Sequence, residues 1–120
     1  MVLLSRVPDP KPFGVPSFDP AGRIVEITEK PLHPASPFAV VGVYFYNPSV
    51  WTIIDGLAPS GRGEFEITDV NNAYARRRQL AHAVLPGFWG DAGTTESLFR
   101  TSAVVRRWRR SRADTAGDGS

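Results

Sequence analysis

Residues 60–72 read Ser60-Gly61-Arg62-Gly63-Glu64-Phe65-Glu66-Ile67-Thr68-Asp69-Val70-Asn71-Asn72. One Arg, three carboxylates, a Thr and two Asn surround only three apolar positions, Phe65, Ile67 and Val70. Glycines flank Arg62, so the backbone there can turn sharply or approach a ligand closely. Thr68 or Asp69 stands where a side-chain cap would open a helix running through Asn72-Ala73-Tyr74-Ala75 to Arg76-Arg77-Arg78. The stretch thus predicts a glycine turn feeding a helix, with other polar residues of the chain brought to face it.

Strands are expected before it. Val2-Leu3-Leu4 has the composition of a buried strand, placed directly after the initiator Met. Val15 to Asp19 reads as extended, Pro20-Ala21-Gly22-Arg23 as a turn, and Arg23 to Thr28 as a β-branched strand, which together predict a hairpin. Pro31 ends it, because proline cannot donate to a ladder. Phe38 to Tyr46 is a near-continuous apolar run, as expected of a strand covered on both faces. Asn47-Pro48 opens a helix with Val50, Trp51, Ile53 and Ile54 as its apolar face, and Gly56 stops it.

After the focal stretch, Leu80 to Leu85 predicts a strand and residues 86–94 an aromatic, glycine-rich loop. Thr94 or Thr95 then caps a last helix, Glu96 to about Arg110. Strands alternating with helices give an α/β fold class. The expected organisation is a partial domain over residues 1–105 followed by a basic, unfolded tail over residues 106–120.

Composition narrows the chemistry. With 120 residues the chain can form one domain and is too short for two. It has no Cys, which rules out disulfides and thiolate metal sites, and its two His make a His-rich zinc site a poor expectation. No apolar run approaches the roughly 20 residues of a membrane span, so no membrane partner and a cytoplasmic location are expected. The net charge of +2 is unevenly spread, because Arg106, Arg107, Arg109, Arg110 and Arg112 crowd one end. That run reads either as a nucleic-acid patch or as the solvated face of an amphipathic helix with Val104, Val105 and Trp108; the second is preferred and no nucleic acid is expected.

The candidate site residues each allow two readings. Glu29-Lys30 at a strand end is a surface ion pair or a holder of a hydroxylated, phosphorylated ligand, Lys being a compact point charge. Arg62 sits in a solvated turn or faces an anion. Asp91, between glycines and beside Phe88 and Trp89, is a turn residue or a ligand to a hard metal. His33 and His82 read as structural.

Order and spacing carry more than the single motifs. The series Val7-Pro8-Asp9-Pro10, Phe13-Gly14-Val15, Asp19-Pro20-Ala21-Gly22-Arg23, Glu29-Lys30-Pro31, Ala39 to Tyr46, Arg62 to Asn71 and Trp89-Gly90-Asp91-Ala92-Gly93-Thr94 resembles the sugar-phosphate nucleotidyltransferases, from about Val2 to Val105. Within that family it is most similar to the members that join glucose 1-phosphate to dTTP.

The resemblance implies the C-terminal half of a Rossmann-like nucleotidyltransferase domain, a mixed sheet flanked by helices. It implies attack of a sugar 1-phosphate oxygen on the α-phosphorus of dTTP, giving dTDP-glucose and pyrophosphate, with Mg²⁺ neutralising charge. By the same resemblance, Gly14 and Glu29 contact sugar hydroxyls with the Val40 backbone beside them. Lys30 and Arg62 clamp the sugar phosphate as the catalytic pair, Trp89 lines the sugar pocket, and Asp91 holds the metal.

Two local departures stand out. Phe13 replaces a common Tyr, and the metal loop reads Trp-Gly-Asp-Ala-Gly-Thr where Trp-Leu-Asp-Thr-Gly-Thr is more usual, which predicts a more mobile loop. The family's glycine-rich triphosphate loop and its second metal-binding Asp are absent. The expectation is therefore a truncated or C-terminal-half chain, active only with its missing N-terminal half, and its expected protein partner is that half or a further copy of the chain as a homo-oligomer. The alternatives are a non-catalytic sugar-phosphate-binding remnant and a uridylyl-transferring or other sugar nucleotidyltransferase.

Overall fold

A three-stranded mixed sheet and a β-hairpin carry the first part of the chain. This computed structural model describes residues 1–59 and 63–116, with side chains through Arg110. In chain order the elements are β1 (Val2–Arg6), β2 (Gly14–Phe18), β3 (Ile24–Glu29), β4 (Phe38–Tyr44), α1 (Val50–Asp55), α2 (Ile67–Arg76), β5 (His82–Val84) and α3 (Thr95–Ala116). They divide into two compact units, Met1–Gly87 and Phe88–Ser120. Among the described residues no helix is long and apolar enough to cross a membrane.

In the first unit β1 is the middle strand of the order β4-β1-β5, antiparallel to β4 and parallel to β5. Its Val2 and Leu4 are fully buried and meet Val50 and Ile53 of α1, and Val70, Tyr74 and Ala75 of α2, in the main core. Burying an aliphatic side chain of this size contributes about 1.5–3 kcal/mol, so β1 anchors the unit.

The expected hairpin forms from β2 and β3, an antiparallel pair of its own. Its turn is an Asx turn: Asp19 Oδ1 accepts from the backbone N–H of Ala21 and Arg23, and Gly22 takes the positive φ of 77° that the turn requires. Strict alternation along β3 would put Ile24 and Ile27 on opposite faces, yet both enter the core. The register shift between Ser17 and Phe18 resolves this. Phe18 pairs with Ile24 while Ser17 pairs with Glu26, so Val25 is an extra bulged residue and the faces exchange there.

Several expectations change. Phe38–Tyr44 is an outer strand and is not covered on both faces: Ala39 and Val41 are buried, while Val43 is 48% exposed. In α1 only Val50 and Ile53 are buried, and Trp51 is 69% exposed, because a helix of 6 residues presents one narrow stripe. The strand expected over Leu80 to Leu85 shortens to the three residues of β5. The last helix starts as expected but runs to Ala116, so its backbone takes in residues 106–116 of the stretch read as an unfolded tail.

Candidate functional site

The hairpin's ladder explains why Gly14 and Glu29 meet. Lys30 N–H donates to the Phe13 carbonyl at 3.0 Å, which makes Phe13–Lys30 a hydrogen-bonded position. Gly14–Glu29 and Pro16–Ile27 then fall between ladder bonds, where antiparallel strands bring their α-carbons closest. Pro16 lies where no ladder N–H is needed, so it is tolerated inside β2. At Gly14 an added Cβ would stand 3.3 Å from Glu29 Oε2 and 3.3 Å from Ile27 Cγ2. Glycine is what lets the Glu29 carboxylate lie over β2.

Helix α2 supplies the third side of this cluster. Thr68 Oγ1 donates to Glu29 Oε2 at 3.0 Å and lies 3.8 Å from the Gly14 Cβ position. The expected capping role of Thr68 or Asp69 is therefore corrected. Glu66 is the N-cap residue, without a side-chain cap bond, Thr68 is inside the helix, and its hydroxyl serves Glu29. Nor does Glu29 form an ion pair with Lys30 among the described residues: its partner is the Thr68 hydroxyl. One turn on, Asn72 holds β3 itself. Its Oδ1 accepts from Ile27 N–H at 2.7 Å and its Nδ2 donates to the Ile27 carbonyl at 2.8 Å.

Lys30 follows Glu29 in the left-handed region, with φ 46°. A β-carbon is strained there, and the residue before a proline normally stays extended, so holding Lys30 in place costs about 1–3 kcal/mol. The 3.0 Å bond from its N–H to Phe13 is part of what enforces this.

A ring stack stands beside the cluster. Tyr44 and Tyr46 stack at 6.0 Å, Tyr46 and Tyr74 at 5.6 Å. Tyr46 OH donates to Oδ1 of the fully buried Asn71 at 2.7 Å, and Tyr74 OH donates to Asn47 Oδ1 at 3.0 Å. Burial first, and the nearby Glu29 charge second, push the Tyr44 phenol above its ordinary pKa. Burial also raises Tyr46, helped by Tyr44 and Tyr74.

In the second unit Asp91 is exposed, and its Oδ2 accepts from Gly93 N–H at 3.0 Å. The loop is tied to its helix by a reciprocal cap. Ser97 N–H donates to Thr94 Oγ1 at 3.1 Å, and Thr94 N–H donates to Ser97 Oγ at 3.0 Å, which selects Thr94 over Thr95. Gly90 is required by packing: a Cβ there would lie 2.6 Å from Thr101 Oγ1 and 2.9 Å from Phe88 Cζ. The Thr101 hydroxyl donates to the Asp91 carbonyl at 3.4 Å. Gly90 thus allows a close approach of the loop to α3.

The residues singled out from the sequence thus fall in three places. Gly14, Glu29 and Lys30 are together at the open end of the hairpin, and Val40 lies in the same unit, paired with Leu4 on β4 and half-buried. Trp89 and Asp91 belong to the second unit. Arg62 lies outside the described residues. Sequence reasoning missed Thr68, Asn72 and Tyr44. The available signal was the spacing of Thr68 and Asn72, four residues apart and hence on one face of α2.

No group of three or more His, Cys, Asp or Glu that could hold a metal occurs among the described residues. Asp91 fits Mg²⁺ as a single hard-oxygen ligand, since that ion takes one or two carboxylates and completes its shell with substrate phosphates and water.

The comparisons agree with this architecture. The sequence profile of the family described as "Nucleotidyl transferase" matches residues 1–107. The glucose-1-phosphate thymidylyltransferase of Actinoplanes sp. is 46% identical over 102 residues, covering 83% of this chain and 34% of that protein. The protein of the same name from Mycolicibacterium smegmatis is 45% identical over 102 residues, covering 83% and 35%. Among solved structures, a putative glucose-1-phosphate thymidylyltransferase from Bacillus anthracis in complex with a sucrose superposes with a TM-score of 0.79 at 48% identity, over 88% of this chain and 42% of that one. An apo UDP-glucose pyrophosphorylase, at 24% identity and a TM-score of 0.77, shares the fold. The chain spans about a third of the length of the curated relatives it matches (34% and 35%). With the mixed sheet and hairpin matched by these structures and the family profile spanning nearly all of it, the chain belongs to the nucleotidyl transferase family.

Proposed function

We propose that this chain forms the sugar-phosphate side of a nucleotidyltransferase that condenses glucose 1-phosphate with dTTP. The observation that carries the reading is the Gly14–Glu29–Thr68 cluster followed at once by the strained Lys30. A carboxylate lying over a bare strand backbone suits recognition of vicinal sugar hydroxyls, and an ammonium one residue on suits the phosphate those hydroxyls adjoin. The named relatives at 45–46% identity support the same substrate pair.

In this reading Glu29 accepts hydrogen bonds from the sugar, Gly14 admits the ring and the Val40 backbone adds a contact. Lys30 and Arg62 hold the phosphate and orient one of its oxygens for in-line attack on the α-phosphorus of dTTP. The new P–O bond forms as the bond to the β-phosphate breaks, and pyrophosphate leaves with the electron pair. No proton transfer is needed at the phosphate, so positioning and charge neutralisation do the catalysis. Asp91 would hold Mg²⁺, which supplies the charge neutralisation at the phosphates when bound. Both substrates are charged metabolites, and a cytoplasmic location belongs to the reading.

The test is pyrophosphate release from dTTP, glucose 1-phosphate and Mg²⁺. It is run with the chain alone and with the part of the Actinoplanes relative that this chain does not align to. Turnover that EDTA abolishes, and that Lys30→Ala lowers by at least about 100-fold, is the expected result, a loss of the size seen on removing one preorganised charge-stabilising donor. No turnover in either mixture overturns it. Quenching of tryptophan fluorescence by glucose 1-phosphate without turnover would instead establish a sugar-phosphate-binding protein, and faster reaction with UTP would reassign the nucleotide.

A further inference from the structure

Among the described residues β3 pairs with one strand only, β2. At the non-hydrogen-bonded position opposite Pro16, the Ile27 N–H and carbonyl point away from the hairpin, and a missing third strand would leave both open. Asn72 takes that strand's place. Its carboxamide carries the same acceptor and donor as a peptide group, and it meets Ile27 at 2.7 and 2.8 Å. This is a backbone-like bond pair from a helix to a strand, 45 residues apart in sequence. Four residues earlier on the same helix, Thr68 holds the carboxylate of Glu29, two residues beyond Ile27. The spacings match because one helical turn rises 5.4 Å and two strand residues about 6.6–6.8 Å.

The geometry points to Asn72 as a positioning residue: by holding the Ile27 peptide groups it sets where Glu29 and Lys30 stand at the open end of the hairpin. It has no contact with the substrate in this role. Only a side chain with a donor and an acceptor on one carbon at this reach can serve. Alanine offers neither, and an ionised aspartate offers two acceptors, one of which faces the Ile27 carbonyl and repels it. Protonated aspartic acid regains the donor.

The inference uses the sugar-phosphate reading for its ligand arm alone. The experiment compares the full chain with its Asn72→Ala and Asn72→Asp variants by amide hydrogen exchange, side-chain NMR of Glu29 and titration with glucose 1-phosphate and with inorganic phosphate. In Asn72→Ala, exchange at Ile27 should quicken at least about fivefold, as expected when a hydrogen bond worth about 1 kcal/mol is lost. Val70 and Tyr74 should keep their protection, and the Glu29 and Lys30 resonances should move. Glucose 1-phosphate affinity should fall about tenfold and inorganic phosphate affinity by a smaller factor, because phosphate uses Lys30 and not Glu29. In Asn72→Asp the defects should be present at neutral pH and shrink, relative to the parent chain at the same pH, as pH drops below the ordinary aspartate value of about 3.9.

Unchanged Ile27 exchange in both variants overturns the proposal. So does faster Ile27 exchange with unmoved Glu29 and Lys30 resonances, which would reduce Asn72 to a structural tie. If Asn72→Ala does not fold, the pH recovery of Asn72→Asp decides, and its absence counts against the proposal. If the parent chain binds no glucose 1-phosphate, the substrate reading fails, and the exchange and resonance arms still decide the role of Asn72.

Discussion

At the residue scale, small changes around Glu29 separate recognition from stability. Gly14→Ala puts a Cβ 3.3 Å from Glu29 Oε2, and the φ of Gly14 is not in the left-handed region, so the backbone tolerates it. Stability should change by no more than about 1 kcal/mol, with a gain from the stiffer unfolded chain, while the carboxylate is pushed aside. Titration calorimetry should show weaker binding of glucose 1-phosphate beside an almost unchanged melting temperature. Tyr46→Phe acts the other way. It leaves the buried Asn71 Oδ1 without the phenol that donates to it and should cost about 1–3 kcal/mol in urea unfolding. The same substitution has a pH signature. Burial raises the folded-state pKa of Tyr46 above the unfolded value near 10, so its contribution is complete below that pH and is lost as pH rises through the alkaline range. Part of the alkaline destabilisation should disappear in Tyr46→Phe, with the share owed to Tyr44 remaining.

At the element scale, the hairpin turn and the start of α3 are the two built pieces. Asp19 is held below its ordinary pKa, chiefly by the Arg23 backbone N–H and then by the Arg23 side chain, whose guanidinium lies 2.7 Å away. A depressed carboxylate stabilises the turn above the ordinary carboxylate range, and that contribution fades as pH falls through the lowered value. NMR of the Gly22 and Arg23 amides should therefore report a loosening turn under acid conditions, and Asp19→Ala should show the same loosening at neutral pH. For α3, Thr94→Ala removes the acceptor for Ser97 N–H and should cost about 1 kcal/mol, read as faster amide exchange at Ser97 and Leu98. Gly90→Leu forces its Cβ against Thr101 and should dislodge the Asp91 carbonyl from α3, which a shift in the Asp91 and Gly93 amide signals would reveal.

At the scale of the molecule, stability in the first unit rests on how few residues close its core. Leu4 is fully buried between the strands and both short helices, and Leu4→Ala should cost about 2–5 kcal/mol. Against a domain stability of about 5–15 kcal/mol this takes a large share, so circular dichroism should show a melting transition lowered by many degrees. Glu29 and Lys30 are both exposed and lie outside that core. Their arrangement depends on α2 being docked, and α2 docks through Val70, Tyr74 and Ala75. Core loss and site loss should accordingly run in parallel.

Much of this was legible in the residues themselves. Local chemistry settled the hairpin, because Asp19, Pro20 and Gly22 dictate their turn without help from the rest of the chain. It settled β1, the glycine stop of α1 and the threonine-capped start of α3, since composition and caps act within a few residues, whereas α1 begins at Val50 with Ser49 as its N-cap, past the expected Pro48 start. The turn alone, with Phe18 opposite Ile24, would set Gly14 opposite Thr28, and the bulge at Val25 moves it to Glu29. Tertiary structure decided what depends on contacts far apart in sequence. Val25 bulges so that Ile24 and Ile27 can share one core, and Thr68 leaves its expected cap to bind Glu29, 39 residues away. Asn72 gives its carboxamide to a strand it could not be paired with by pattern. A side-chain amide or hydroxyl has several possible partners of similar strength, and only the packed backbone selects among them.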